Sequence, residues 1–237
     1  MKPCIIYMSP LKALTNEKAE NWCDPEHSLS KYKVVQLTGD TLWSEAERKR
    51  QFKEADVADI ILMTSELLDS ITRRAKPLFL SRVRLLVVDE FHLITSDRGP
   101  ALEAGLMRFS RINPRARLLF LSATMPNVED MGKWATRLNG KQTVIIKSEF
   151  RPVPSETHYI PHLSRASYYE IEDAKVEIAT ELIMKYSEDR WLAFVHTKAM
   201  GRRLLKRLQD LDVETEFHSA ELHRTERRKI ELDFMKR

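Results

Sequence analysis

Residues 84–94, RLLVVDEFHLI, carry an apolar run, Leu85 to Val88, straight into two carboxylates, Asp89 and Glu90, and then a histidine, His92. Removing a carboxylate from water costs several kcal/mol unless it is paired, hydrogen-bonded or bound to a metal. A continuous apolar run without polar alternation is the pattern of a strand in a parallel sheet whose two faces are covered by helices. In such sheets ligands gather beyond the carboxyl ends of the strands, which is where Asp89 and Glu90 fall. The stretch therefore predicts a fold, a parallel α/β sheet, and the edge of it at which chemistry can occur.

The same pattern extends outward on both sides. Short apolar runs at 4–8 (CIIYM), 34–38 (VVQLT), 59–64 (DIILMT), 85–89 (LLVVD), 117–122 (RLLFLS) and 143–148 (TVIIKS) read as strands. Amphipathic stretches between them, among them 11–22, 42–52 and 101–112, read as helices, and strand–helix alternation implies βαβ units. Pro152, Pro154 and Pro161 then interrupt the pattern and predict an extended connector over 151–165. Beyond it a helix (169–186), a strand (191–196, WLAFVH), a helix (198–211), a short strand (213–217, VETEF) and a charged terminal helix follow. The expected organisation is a three-layer α/β domain over 1–150, the connector, and a partial second α/β domain over 166–237. With two strands, that second part is less than a self-sufficient α/β domain usually needs.

Composition excludes several classes. Of 237 residues 43% are apolar and 31% charged, as in a globular chain and unlike a disordered one. No apolar run reaches the roughly 18–20 residues of a membrane helix, and the apolar run near the N-terminus is too short for a signal peptide. The two cysteines, Cys4 and Cys23, form no CxxC pattern and read as reduced thiols of a soluble intracellular protein, cytoplasmic or nuclear. A net charge of +4 is compatible with a polyanionic partner without requiring one.

Small polar clusters follow the predicted strands. Pro10, Leu11 and Lys12 follow the first; Thr38, Gly39 and Asp40 end the second; Thr64, Ser65 and Glu66 end the third; Ser122 and Thr124 end the fifth. Each alone has an ordinary reading: Thr64 and Ser65 cap a helix, Pro10 starts one, and Asp89–Glu90 form an N-cap or a surface turn. His92 alone reads as a satisfied histidine at a helix start. Five such clusters on one sheet edge exceed what capping requires. A carboxylate pair there can hold Mg²⁺, often through water, and can orient or deprotonate an attacking water. Trp22, Trp43 and Trp134 fit packed helices as well as stacking platforms. The basic runs Arg202, Arg203, Lys206, Arg207 and Arg224, Arg227, Arg228, Lys229 fit solvated helix faces as well as phosphate contacts.

Taken in order, these motifs resemble a DExH-box helicase of superfamily two, in the Ski-like branch that contains RNA-exosome, spliceosomal and DNA-repair helicases. SPLKAL is similar to motif Ia, LTGD to Ib, TSE to Ic, DEFH to II and SAT to III. EFRPVP resembles the connector between the branch's two RecA-like domains, AFVHTK resembles motif IV, and FHSAELHRTERRKIELDFM resembles the segment after it. The resemblance implies a RecA-like first domain and an incomplete RecA-like second one, with ATP and Mg²⁺ as cofactors and ATP-driven strand separation as the activity. It implies that Asp89 holds Mg²⁺ through water and that Glu90 positions or activates the hydrolytic water. His92, Ser122 and Thr124 would couple the nucleotide to the strand site. Pro10, Leu11, Lys12, Thr38, Gly39, Asp40, Thr64, Ser65 and Glu66, with His196, Thr197 and His218 of the second domain, would line a track for single-stranded or partly duplex DNA or RNA.

The chain departs from the family in three places. Glu221 stands where the family usually has glycine. No Gly-rich loop ending in Gly-Lys-Ser/Thr is present, the six glycines being scattered at 39, 99, 105, 132, 140 and 201. The segments that carry the family's motifs V and VI are also missing. The expectation is a helicase fragment that hydrolyses ATP barely or not at all alone, its missing portions supplied in cis or by a neighbouring chain. An ATPase-inactive module that binds nucleic acid or protein is the alternative. A metal-dependent nuclease using Asp89, Glu90 and His92 is a further one, disfavoured because no other acidic ligands converge on the pair.

Overall fold

The computed structural model describes residues 2–37, 39, 44–74, 77–123, 125–161, 167–219 and 221–236, in two compact units, Met1–Glu149 and Phe150–Arg237. The first is built on β1 (Cys4–Met8), β2 (Val34–Gln36), β3 (Ile60–Met63), β4 (Val83–Val88) and β5 (Arg117–Phe120), in the order β2-β3-β1-β4-β5. All pairings are parallel. The helices are α1 (Lys12–Cys23), α2 (Glu45–Ala55), α3 (Ser65–Arg74), α4 (Phe79–Arg82), α5 (Gly99–Ile112) and α6 (Val128–Asn139), with a 3-10 turn at Phe91–Thr95 after β4.

Alternation along the strands decides the faces. Ile6, Met8, Ile61, Met63, Leu86 and Val88 are buried on one face in a single core with Leu68 of α3 and Leu106 and Phe109 of α5. Helices α3 and α5 approach closely at Gly105, where an added Cβ would lie 3.1 Å from the Asp69 amide. Buried Asp69 is offset there by the guanidiniums of Arg73 and Arg108. The expected helical cover on both faces is complete only on this side. Across the sheet, α1 sets Trp22 edge-on against Tyr7 at 5.2 Å, while Leu119 and Leu121 near the β5 edge stay 43% and 40% exposed.

Three expected strands are absent. Residues 143–148 are extended but unpaired, running along α6, where Thr143 bonds Thr136 at 2.9 Å and Lys147 meets Glu129 at 2.9 Å. β-Branched composition gives a strand only where a ladder partner exists, and Val144 and Ile146 face solvent instead. The second unit holds α7 (Tyr168–Lys185), α8 (Lys198–Gln209) and α9 (Arg224–Lys236). Its stretches 191–196 and 213–217 lay Val195 and Val213 on Ile183, Leu204 and Leu208. Neither forms ladder hydrogen bonds, so neither is a strand among the described residues.

Candidate functional site

The carboxyl ends of the strands are knitted together by main-chain hydrogen bonds. The amides of Ser9 and Asp89 donate to Met63 and Met8 at 3.1 and 2.9 Å, and those of Leu121 and Phe91 donate to Val88 and Leu121 at 2.9 and 2.8 Å. The DEFH segment is thus anchored to β1 on one side and to the strand leading to Ser122 on the other. Glu90 adopts a left-handed backbone (φ 52°, ψ 44°), which costs a non-glycine residue about 1–2 kcal/mol. That turn lets the chain pass from β4 into the 3-10 turn while the Glu90 side chain stays 46% exposed.

Asp89 is held at both oxygens. Its Oδ1 accepts the Glu90 amide at 3.0 Å, and its Oδ2 accepts the Tyr7 hydroxyl at 2.5 Å with Lys18 Nζ at 3.9 Å. Lys18 also sits 4.9 Å from the Tyr7 ring centre and 5.9 Å from that of Trp22. Burial and the Asp89 carboxylate together push the Tyr7 phenol well above its ordinary value, so it stays a proton donor. These contacts answer how the core tolerates the carboxylate: a hydroxyl, an amide and an ammonium replace water. His92 Nδ1 lies 3.3 Å from Glu90 Oε2, closed off from solvent and without hydrogen-bond alignment.

The remaining predicted residues divide. The Pro10 carbonyl accepts Arg98 Nη1 at 2.5 Å, and Arg98 Nε lies 3.9 Å from Glu66, which brings two of the predicted clusters together. Leu11 precedes α1 and its carbonyl accepts both Thr15 donors; Lys12 opens the helix, exposed. Thr64 immediately precedes α3 and Ser65 opens it, the Thr64 carbonyl taking the Leu68 amide and Ser65 being buried. Gly39 is exposed. Ser122 turns its hydroxyl to the Ala123 carbonyl at 2.9 Å rather than to His92. Thr38, Asp40, Trp43 and Thr124 lie outside the described residues. In the second unit Thr197 caps α8, accepting the Met200 amide at 3.2 Å; His196 is exposed, and His218 pairs with Glu231 at 3.1 Å. Trp134, half-buried, packs on Phe91 at 6.0 Å against the core.

Tyr7, Lys18 and Arg98 did not stand out in the sequence. Tyr7 reads as one more strand residue and Lys18 as a helix surface charge. The dipeptide Arg98–Gly99 held a usable signal: a Cβ at Gly99 would collide with the Ile94 carbonyl, so only glycine lets α5 start against the 3-10 turn.

Asp89 offers one carboxylate, and the described residues contain no cluster of three metal-ligating side chains. That set suits Mg²⁺, which commonly takes one or two carboxylates and fills its shell with water and phosphate oxygens. No helix among the described residues is long and apolar enough to cross a membrane.

Residues 1–131 match the family model for DEAD/DEAH box helicases. Among curated proteins, the pre-mRNA-splicing factor brr2 of Schizosaccharomyces pombe is 31% identical over 220 residues, covering 90% of this chain and 10% of that protein. The U5 small nuclear ribonucleoprotein 200 kDa helicase of Homo sapiens is 31% identical over 218 residues, covering 89% and 10%. The chain thus spans about a tenth of the length of these relatives. Among solved structures, Mycobacterium smegmatis helicase Lhr bound to ssDNA and AMP-PNP aligns at TM-score 0.59 with 22% identity, over 98% of this chain and 32% of that one. The DUF1998 helicase MrfA bound to DNA and AMPPNP aligns at TM-score 0.69 with 20% identity, over 97% and 33%. The shared fold is the RecA-like α/β arrangement.

Proposed function

The chain belongs to the DEAD/DEAH box helicases, and on that premise we propose that it is a portion of an ATP-dependent helicase or translocase acting on a single strand of DNA or RNA. The observation that carries this reading is the turn at Asp89–Glu90. Asp89 is pinned by Glu90 and Tyr7, whereas Glu90 is held by a strained backbone with its carboxylate facing solvent. Phosphoryl transfer to water is catalysed by positioning and charge more than by covalent chemistry. Asp89 would hold Mg²⁺ of the nucleotide through water, and the metal would supply charge neutralisation at the phosphates. Glu90 would orient the attacking water and take its proton. His92, beside Glu90, and Ser122, joined to the DEFH segment through the Phe91–Leu121 main-chain bond, would pass the state of the nucleotide to the strand track. Pro10, Lys12 and Glu66 would shape that track, with Arg98 fixing the Pro10 and Glu66 loops.

These 237 residues contain no Gly-Lys-Ser/Thr phosphate loop, so the cradle for the phosphates must come from other residues, in cis or from a neighbouring chain. We therefore expect the chain alone to bind a strand yet turn over ATP barely or not at all. The internal engagement of both Asp89 oxygens favours a second reading, an ATPase-inactive binding module derived from such a helicase. Site of action inside the cell, nuclear or cytoplasmic, fits either. Steady-state ATP turnover with and without single-stranded RNA and DNA, alongside equilibrium strand binding, is the test. Strand binding without turnover is expected. Strand-stimulated turnover that Glu90→Gln abolishes would overturn the inactivity of the isolated chain. Absence of strand binding would overturn the nucleic-acid reading.

A further inference from the structure

In the second unit one carboxylate holds two cations from elsewhere in the chain. Glu221 Oε1 lies 2.7 Å from Lys198 Nζ, and Glu221 Oε2 lies 2.8 Å from Arg202 Nη2. Lys198 and Arg202 are four residues apart in the first turns of α8 and so share one face. The side chains of all three are between 51% and 63% exposed, so the cations can exchange this partner for another anion.

The rest of α8 makes the arrangement specific. No acidic side chain lies in its first turn, where the helix carries partial positive charge. Its neighbour Arg203 is committed differently, reaching Glu172 and Asp173 of α7 at 2.5 Å each, with Glu172 almost fully buried. The basic run thus splits by direction. Arg203 fastens two helices together, whereas Lys198 and Arg202 converge on a single exposed anion from a separate segment. Two oxygens on one acidic centre, one to an ammonium and one to a guanidinium, is the pattern a phosphodiester presents to a Lys–Arg pair.

We propose that Glu221 is an internal counter-anion occupying a phosphate-binding position built by Lys198 and Arg202, and that a nucleic-acid backbone binds this face by displacing it. The proposal rests on the nucleic-acid reading above and deepens it. A strand must break two ion pairs to use these cations, which lowers affinity and removes their share of the salt dependence.

The test is binding of fluorescein-labelled single-stranded RNA and DNA oligonucleotides to the full chain across a salt series. Glu221→Gln keeps the shape and removes the charge. It is expected to bind about three- to ten-fold tighter at low salt, with a log–log salt slope steeper by about 0.7–1.4, since each phosphate neutralised on a single strand contributes about 0.7. Glu188→Gln makes the same change in net charge at an exposed acid outside this cluster and is expected to match the parent. Lys198→Ala with Arg202→Ala is expected to change the parent little and to abolish the gain in the Glu221→Gln background. The proposal is overturned if Glu221→Gln behaves as Glu188→Gln, or if its gain survives loss of both cations; in either case strand binding by the parent leaves the broader reading standing. If neither parent nor Glu221→Gln binds oligonucleotide, the nucleic-acid reading fails and takes the counter-anion with it.

Discussion

At residue scale the Asp89–Glu90 pair shows two neighbouring carboxylates put to opposite use. Asp89 is surrounded by donors, and its place at the end of a core strand is stabilised by Tyr7 and the Glu90 amide. Glu90 has the strained backbone and the exposed head. Strain of this kind persists where surrounding structure over-determines it, and here the Asp89–Met8 and Phe91–Leu121 main-chain bonds do so on either side. The cost is testable apart from any activity. Glu90→Gly relieves the left-handed strain at the cost of greater unfolded-chain entropy, and is expected to raise unfolding stability by about 0.5–1 kcal/mol. Glu90→Gln, which keeps the strain, is expected to leave the urea midpoint unchanged. Destabilisation in Glu90→Gly would show that the conformation is not strained. A gain there would mean that the fold gives up stability to place this carboxylate.

At the scale of elements, the first unit was legible where the apolar run and the helical period agreed. β1 and the DEFH strand–turn were readable because Leu85–Val88 is too short and too apolar for anything but a buried strand. The stretches 143–148, 191–196 and 213–217 look the same locally, yet whether they pair depends on an available strand edge, which no local pattern records. Of the candidate site, the acidic pair and the loop clusters can be picked out by local pattern. The donors Tyr7, Lys18 and Arg98 cannot, since each meets its partner only through sheet register or helix packing. The strand entrances show the same non-local wiring. Asp59, just before β3, meets Lys2 Nζ at 2.5 Å and accepts the Lys33 amide at 3.0 Å, tying the starts of β1, β2 and β3. The Lys2 ammonium first, and the Lys33 amide second, hold its carboxyl below its ordinary value. A carboxyl depressed in the folded state adds stability above its unfolded value, and loses it as pH falls through the folded one. Asp59→Asn is therefore expected to be less stable than the parent at neutral pH, with the difference shrinking below about pH 4. Urea midpoints from about pH 7 down to about pH 3 check this. A difference of constant size would assign the effect to shape rather than charge.

For the whole molecule, the decisive contrast is in apolar burial. The first unit gathers its sheet, α3, α5 and their neighbours into one continuous core, whereas the buried cluster of the second is Ile183, Leu204 and Leu208 with a few half-buried neighbours. Burying such side chains contributes roughly 1.5–3 kcal/mol each, against an ordering cost of about 1–2 kcal/mol for every residue's backbone. A unit with so few buried apolar residues and no paired strand among those described has little margin. Its Leu192 and Phe194 remain 66% and 90% exposed. The two units are therefore expected to open separately. In native-state hydrogen exchange, amides of α7 and α8 should exchange through a lower-energy opening, while those of β1, β3 and β4 should exchange only with global unfolding of the first unit. Chymotrypsin should cut first near Phe150 and Tyr159, 82% and 88% exposed, and at Phe194. Protection of α7 and α8 equal to that of the sheet would mean that the second unit draws stability from contacts beyond its small core.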